Sequence, residues 1–123
     1  MSGERILIVD DEPQLRGLLA GVLAQQGLQT LEAGDGPEAL AQLKSNPAVQ
    51  FVLSDVKMPG MTGYEMVEQA LAFRPELKVL MMTAYVTDLP TPHALRAREI
   101  RTLPKPFAPE RMMELVLDML SRP

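Results

Sequence analysis

Short unbroken apolar runs alternate along the chain with longer stretches in which apolar residues recur every three or four positions. The runs are Ile6–Val9, Phe51–Leu53 and Val79–Met82, and continuous runs of this kind mark strands covered on both faces of a parallel sheet. The more mixed stretch Leu28–Ala33 reads as a strand at the sheet edge, and Ile100–Leu103 as a short fifth strand. Helical stripes fill the intervals. Leu15, Leu18, Leu19, Val22 and Leu23 form the core face of a first helix that opens near Pro13 and stops at Gly27, residues suited to a helix start and a left-handed helix end. A second helix opens near Pro37, buries Ala39, Leu40 and Leu43, and ends at Asn46-Pro47. In the third, Thr62 and Glu65 have the spacing of a capping box, ahead of a core face of Met66, Val67, Ala70 and Leu71. The last helix starts at Pro109 with Met112, Leu115, Val116, Met119 and Leu120 on one stripe. A further helix is expected between the fourth and fifth strands. Pro90 and Pro92 fall where it begins, so it is predicted to be short, displaced or poorly ordered.

Five strands alternating with five helices predict an α/β fold, a doubly wound five-stranded parallel sheet with right-handed crossovers. The flavodoxin-like strand order 2-1-3-4-5 sets strands one and three side by side, at the switch point where ligands bind beyond the carboxyl ends of the strands; that order is carried over from folds of this class. A length of 123 residues fits one domain, 1–123, with an adequate core. Cysteine is absent, net charge is -4, and no apolar run is long enough for a bilayer, so a cytoplasmic protein without membrane contact is expected. Lysine and arginine are scattered rather than grouped, which argues against direct nucleic-acid binding.

Chemistry gathers at the strand ends. Asp10-Asp11 close the first strand and Asp55 the third, so the predicted topology converges three carboxylates whose mutual repulsion a hard cation would relieve. Oxygen ligands in this number suit Mg²⁺, while a single histidine, His93, and no cysteine offer little to Zn²⁺. Thr83 ends the fourth strand and Lys105 follows the fifth. A hydroxyl and an ammonium facing such a pocket suit a phosphoryl group in transfer. Taken singly, each residue also has a plainer reading: Asp11 as a helix cap, Asp55 as a strand terminator, Thr83 as a cap and Lys105 as a surface lysine.

The motifs Val9-Asp10-Asp11-Glu12, Ser54-Asp55-Val56-Lys57-Met58-Pro59-Gly60-Met61-Thr62-Gly63, Thr83-Ala84 and Lys105-Pro106-Phe107 occur in order, each at the end of its own strand. In these the chain resembles the receiver domains of two-component response regulators, such as chemotaxis regulators, over essentially its whole length. The resemblance implies a phosphoacceptor domain in a phosphorelay, served by a sensor histidine kinase or phosphotransfer protein and switching an output surface. It implies Asp55 as the phosphoacceptor and Mg²⁺ on Asp11, Asp55, the Lys57 backbone carbonyl and, partly through water, Asp10. Thr83 and Lys105 would contact the phosphoryl group, and Lys105-Pro106 would be a cis peptide bond. Such a domain is no enzyme beyond its own phosphorylation and slow dephosphorylation. Met1 lies close to the first strand, which fits a receiver at the N-terminus of its protein.

Departures from the family pattern concern the switch. The aromatic three residues before the lysine is replaced by Thr102, and Tyr85 is a candidate substitute. Lys57 and Tyr85, each two residues beyond a site residue, are expected to tune the lifetime of the acyl phosphate. Met113 and Leu117 add an apolar strip to the last helix, readable as a homodimer or target interface with the fifth strand and the helix before it, or as shielded by nearby loops. Two other functions compete: a Mg²⁺-dependent aspartyl-phosphate phosphohydrolase, against which the missing Asp-x-Asp motif counts, and a receiver-like interaction module that is never phosphorylated.

Overall fold

The computed structural model describes residues 4–84 and 100–122. Within them β1 (Arg5–Val9), β2 (Gln29–Ala33), β3 (Val49–Asp55), β4 (Lys78–Thr83) and β5 (Arg101–Pro104) form one sheet in the order β2-β1-β3-β4-β5, every pair parallel. Four helices are described: α1 (Pro13–Ala24), α2 (Gly36–Ser45), α3 (Gly63–Phe73) and a C-terminal helix, Pro109–Leu120. The helix expected between the last two strands lies outside the described residues, as do Tyr85, Pro90, Pro92 and His93. No helix among the described residues is long and apolar enough to cross a membrane.

The central strands are apolar throughout because both their faces are covered. Ile6, Ile8, Phe51, Leu53, Leu80 and Met82 face α1 and the C-terminal helix, where Leu19, Leu23, Met112 and Val116 pack against them. Leu7, Val9, Val52, Val79 and Met81 face α2 and α3. The alternation is the side-chain period of a pleated strand, and the two layers are what a doubly wound sheet requires.

Local signals hold with some shifts. Thr62 and Glu65 form the capping box, Lys105-Pro106 is cis, and Gly27 and Gly60 have positive φ. β3 runs two residues earlier than its apolar run and ends on Asp55 itself. α2 is capped by Asp35, whose carboxylate accepts from the Glu38 amide at 2.8 Å, while Glu38 Oε1 accepts from the Gly34 amide at 2.8 Å. α1 has Glu12 at its N-cap without a side-chain bond, so Asp11 is not its cap. Leu18 corrects the predicted core: it is 55% exposed, because the buried face of α1 is Leu19, Ala20 and Leu23 and Leu18 lies on its flank. On the C-terminal helix Leu117 is exposed and Met113 half-buried.

Arg74 ties the edge of this layer together. Its guanidinium donates to the carbonyls of Leu43 at 2.7 Å and Asn46 at 3.3 Å, and also to that of Val49. These carbonyls lie at the end of α2 and the start of β3, and a charged donor satisfies them where the helix runs out of amides. Arg74→Met, which keeps the stem and removes the donors, should cost about 2–3 kcal/mol, the scale of hydrogen bonds to a charged group. Urea unfolding with an unchanged slope checks this, and a loss near zero would contradict it.

Candidate functional site

The carboxyl ends of β1, β3, β4 and β5 form a shallow acidic edge. Asp10 follows β1 directly and is fully buried; Asp55 ends β3 and Thr83 ends β4, both buried. Asp11, one residue on, is exposed. One carboxylate oxygen from each of Asp10, Asp11 and Asp55 lies within 4.8 Å of the others. Lys105 reaches into the same space from beyond β5, with Nζ 3.4 Å from Asp55 Oδ2 and 3.5 Å from Asp10 Oδ2. The four residues that the sequence places at strand ends as acids and lysine therefore converge, and Thr83 sits on the strand between β3 and β5.

Backbone bonds hold these ends in register. Val56 N–H donates to the Met82 carbonyl at 3.0 Å and Lys105 N–H to the Thr83 carbonyl at 2.8 Å. Gly63 N–H donates to the Val56 carbonyl at 2.7 Å. That close approach requires a glycine, since a Cβ at Gly63 would collide with the Asp55 carbonyl oxygen. Asp10 is pinned on every side: its amide donates to Ala33, its carbonyl accepts from Arg16 Nη1 at 2.8 Å, and its Oδ1 accepts from the Glu12 amide at 2.8 Å. Arg16 is the site neighbour that apolar periodicity does not mark, because its partners are Asp10, just beyond β1, and Glu32 on β2 rather than residues of its own helix.

The charges do not balance. Burial is the largest influence on Asp55 and pushes its carboxyl above the ordinary range; Lys105 pulls it back, and Asp10 and Asp11 push it up again. One ammonium thus faces three carboxylates, two of them buried where their charge is poorly solvated. All donors in the cluster are hard oxygens, with neither His nor Cys among them, so the residues present fit a hard divalent cation. Lys57 is exposed in the loop after Asp55, and Thr102 is exposed on β5, in register with Met81.

A family model described as the response regulator receiver domain matches residues 6–117. The chain is 39% identical over 85 residues to Sporulation initiation phosphotransferase F of Bacillus subtilis (strain 168), a stretch covering 69% of this chain and 68% of that protein. It is 32% identical over 117 residues to Sensory transduction protein RegX3 of Mycolicibacterium smegmatis, covering 95% of this chain and 50% of the relative, so it spans about half that protein's length. The crystal structure of response regulator protein TrrA from Thermotoga maritima, in complex with Mg²⁺-BeF, matches with a TM-score of 0.79 at 30% identity, covering 94% of this chain and 98% of that one.

A carboxyl whose folded pKa is raised destabilises the fold while it is ionised. Stability is recovered as pH falls through the folded pKa and fully so below the unfolded one. In metal-free protein at neutral pH, Asp55→Asn should therefore melt higher than wild type, by about 4 °C for each kcal/mol recovered. The gap should close as pH falls below the ordinary carboxylate range. Scanning calorimetry across pH checks this; a variant that melts lower at neutral pH contradicts it.

Proposed function

The chain belongs to the response regulator receiver domain family, and from that membership we propose that Asp55 accepts a phosphoryl group from a phosphohistidine on a partner kinase or phosphotransfer protein. The observation that carries the reading is the meeting of the Asp55 carboxylate, the Lys105 ammonium and the Asp10-Asp11 pair at one sheet edge. Residues 1–123 act in it as a single receiver domain working in the cytoplasm.

In the transfer an Asp55 oxygen bonds to phosphorus as the phosphorus–nitrogen bond breaks, the electron pair leaving with the imidazole, so that an acyl phosphate forms. Lys105 lies where it can pair with the oxygens of a group on Asp55. The Thr83 hydroxyl, on the neighbouring strand end, supplies a further donor to them. Asp11, Asp55, the Lys57 carbonyl and, partly through water, Asp10 would hold Mg²⁺, as the Mg²⁺-BeF complex of the Thermotoga relative supports; bound there, the ion would neutralise phosphoryl charge. The chain catalyses only its own phosphorylation and slow dephosphorylation. Family membership and the complete set of acids, hydroxyl and lysine favour this over a phosphohydrolase or a module that is never phosphorylated.

The phosphodonor needs a surface beside Asp55. An apolar groove of about 290 Å³ runs between α1 and the Lys105 loop, lined by Leu15, Leu18, Leu19, Pro106 and Phe107 among others. Leu18, at 55% exposed, is an open apolar wall of it. A partner seated there by apolar contact brings its histidine to Asp55.

Incubation with Mg²⁺ and phosphoramidate should add one phosphoryl group by intact mass, and Asp55→Asn should add none. Leu18→Ala should take the group from phosphoramidate at the wild-type rate. Its transfer from a phosphorylated histidine protein should slow about tenfold or more, the scale of one interface anchor. Phosphorylation that persists in Asp55→Asn contradicts the phosphoacceptor assignment, and equal slowing with both donors contradicts the docking one.

A further inference from the structure

The structure assigns a positioning role to Arg16, a residue of α1 outside the acid, hydroxyl and lysine set. β2 ends at Ala33, and the Asp10 amide makes the last rung of the β1–β2 ladder, 3.1 Å from the Ala33 carbonyl. The Asp10 carbonyl lies beyond that rung, and Arg16 Nη1 donates to it at 2.8 Å. Arg16 Nε at the same time donates to Glu32 Oε1 on β2 at 3.0 Å, an ion pair whose arginine side chain is 20% exposed. Glu32 thus orients the guanidinium, and the guanidinium holds the carbonyl.

What is held is one rigid plane, because the Asp10 carbonyl and the Asp11 amide belong to the same peptide. The Asp10 carboxylate has its own restraints, the Glu12 amide at 2.8 Å and Lys105 at 3.5 Å. The Asp11 carboxylate is exposed, and among the described residues no hydrogen bond or ion pair restrains it. Its direction is therefore set through the backbone, and the Arg16–Glu32 pair sets that backbone. The inference rests on the reading of this edge as a Mg²⁺-binding phosphoacceptor site: Arg16 preorganises Asp11 as a ligand without touching the ion.

Charge alone predicts the opposite. A guanidinium beside an acidic pocket repels a cation, so removing it should tighten Mg²⁺ binding unless its positioning effect dominates. The test measures Mg²⁺ affinity by titration calorimetry, and amide hydrogen exchange in the metal-free proteins, for wild type, Arg16→Met, Arg16→Lys and Glu32→Gln. Arg16→Met should weaken Mg²⁺ binding about tenfold, as loss of an outer-shell partner does, although it removes a positive charge. Arg16→Lys should recover only part of that, since one ammonium cannot span both partners, and Glu32→Gln should weaken binding less than Arg16→Met. Exchange at the Glu12 amide, which Asp10 Oδ1 holds at 2.8 Å, should quicken while the core amides of β3 keep their protection. Unchanged or tighter Mg²⁺ binding in Arg16→Met overturns the inference, as does equal quickening across β3, which marks a general loss of stability. Should Arg16→Met not fold, Glu32→Gln, changed at a more exposed side chain, reads the same two quantities. If wild type takes up no Mg²⁺, the phosphoacceptor reading fails instead, and exchange at Glu12 alone decides the role of Arg16.

Discussion

Two buried carboxylates, Asp10 and Asp55, share a single ammonium, that of Lys105, and the properties of this sheet edge follow from the imbalance. The parallel order with β1 beside β3 forces the two acids together, and burial keeps water from solvating them. Burial above all, with repulsion from Asp10 and Asp11 added, pushes the Asp55 carboxyl above the ordinary range, and Lys105 offsets only part of this. A site in this condition gains from anything that adds positive charge, or that exchanges the Asp55 carboxylate for a group Lys105 can hold. Fold and chemistry are linked at that point: the same crossovers that bury the strands on both faces also deliver their terminal acids to one place.

The restraints on the site are graded. Asp10 is fixed through its amide, carbonyl and carboxylate. Asp55 is fixed from behind by the tight approach of Gly63, which admits no side chain. Asp11 alone stands in solvent with its carboxylate unrestrained by the described residues. Buried, rigid groups beside one exposed ligand, whose backbone Arg16 holds, suit a pocket that must accept and release an ion while the nucleophile stays in position.

Much of this was legible in the residues because its causes are local. Strands buried on both faces must be apolar at every position, so Ile6–Val9 and Val79–Met82 stand out, and an acid at the end of such a run has few structural reasons to be there. Cap chemistry at Thr62 and Glu65 is equally local. What escaped depends on three-dimensional neighbours. Periodicity put Leu18 on the core stripe, but a helix on a sheet buries a narrower arc than its apolar residues span, and the excess faces the groove beside Lys105. Asp35 caps α2 and Glu38, in its first turn, reaches back to the Gly34 amide, and acids at such a junction resemble those of any solvated loop. Arg16 acts on the Asp10 carbonyl across a strand-to-helix turn and Arg74 on carbonyls far from it in sequence, and nothing in an arginine's immediate surroundings announces a carbonyl partner.

The most direct measurement is the position of the phosphoryl group itself. Borohydride reduces an aspartyl phosphate to homoserine, so phosphorylated protein, reduced and digested, should carry homoserine at position 55 and aspartate at 10 and 11. Homoserine at Asp10 or Asp11, with Asp55 intact, would contradict the assignment of the buried β3 carboxylate as the nucleophile.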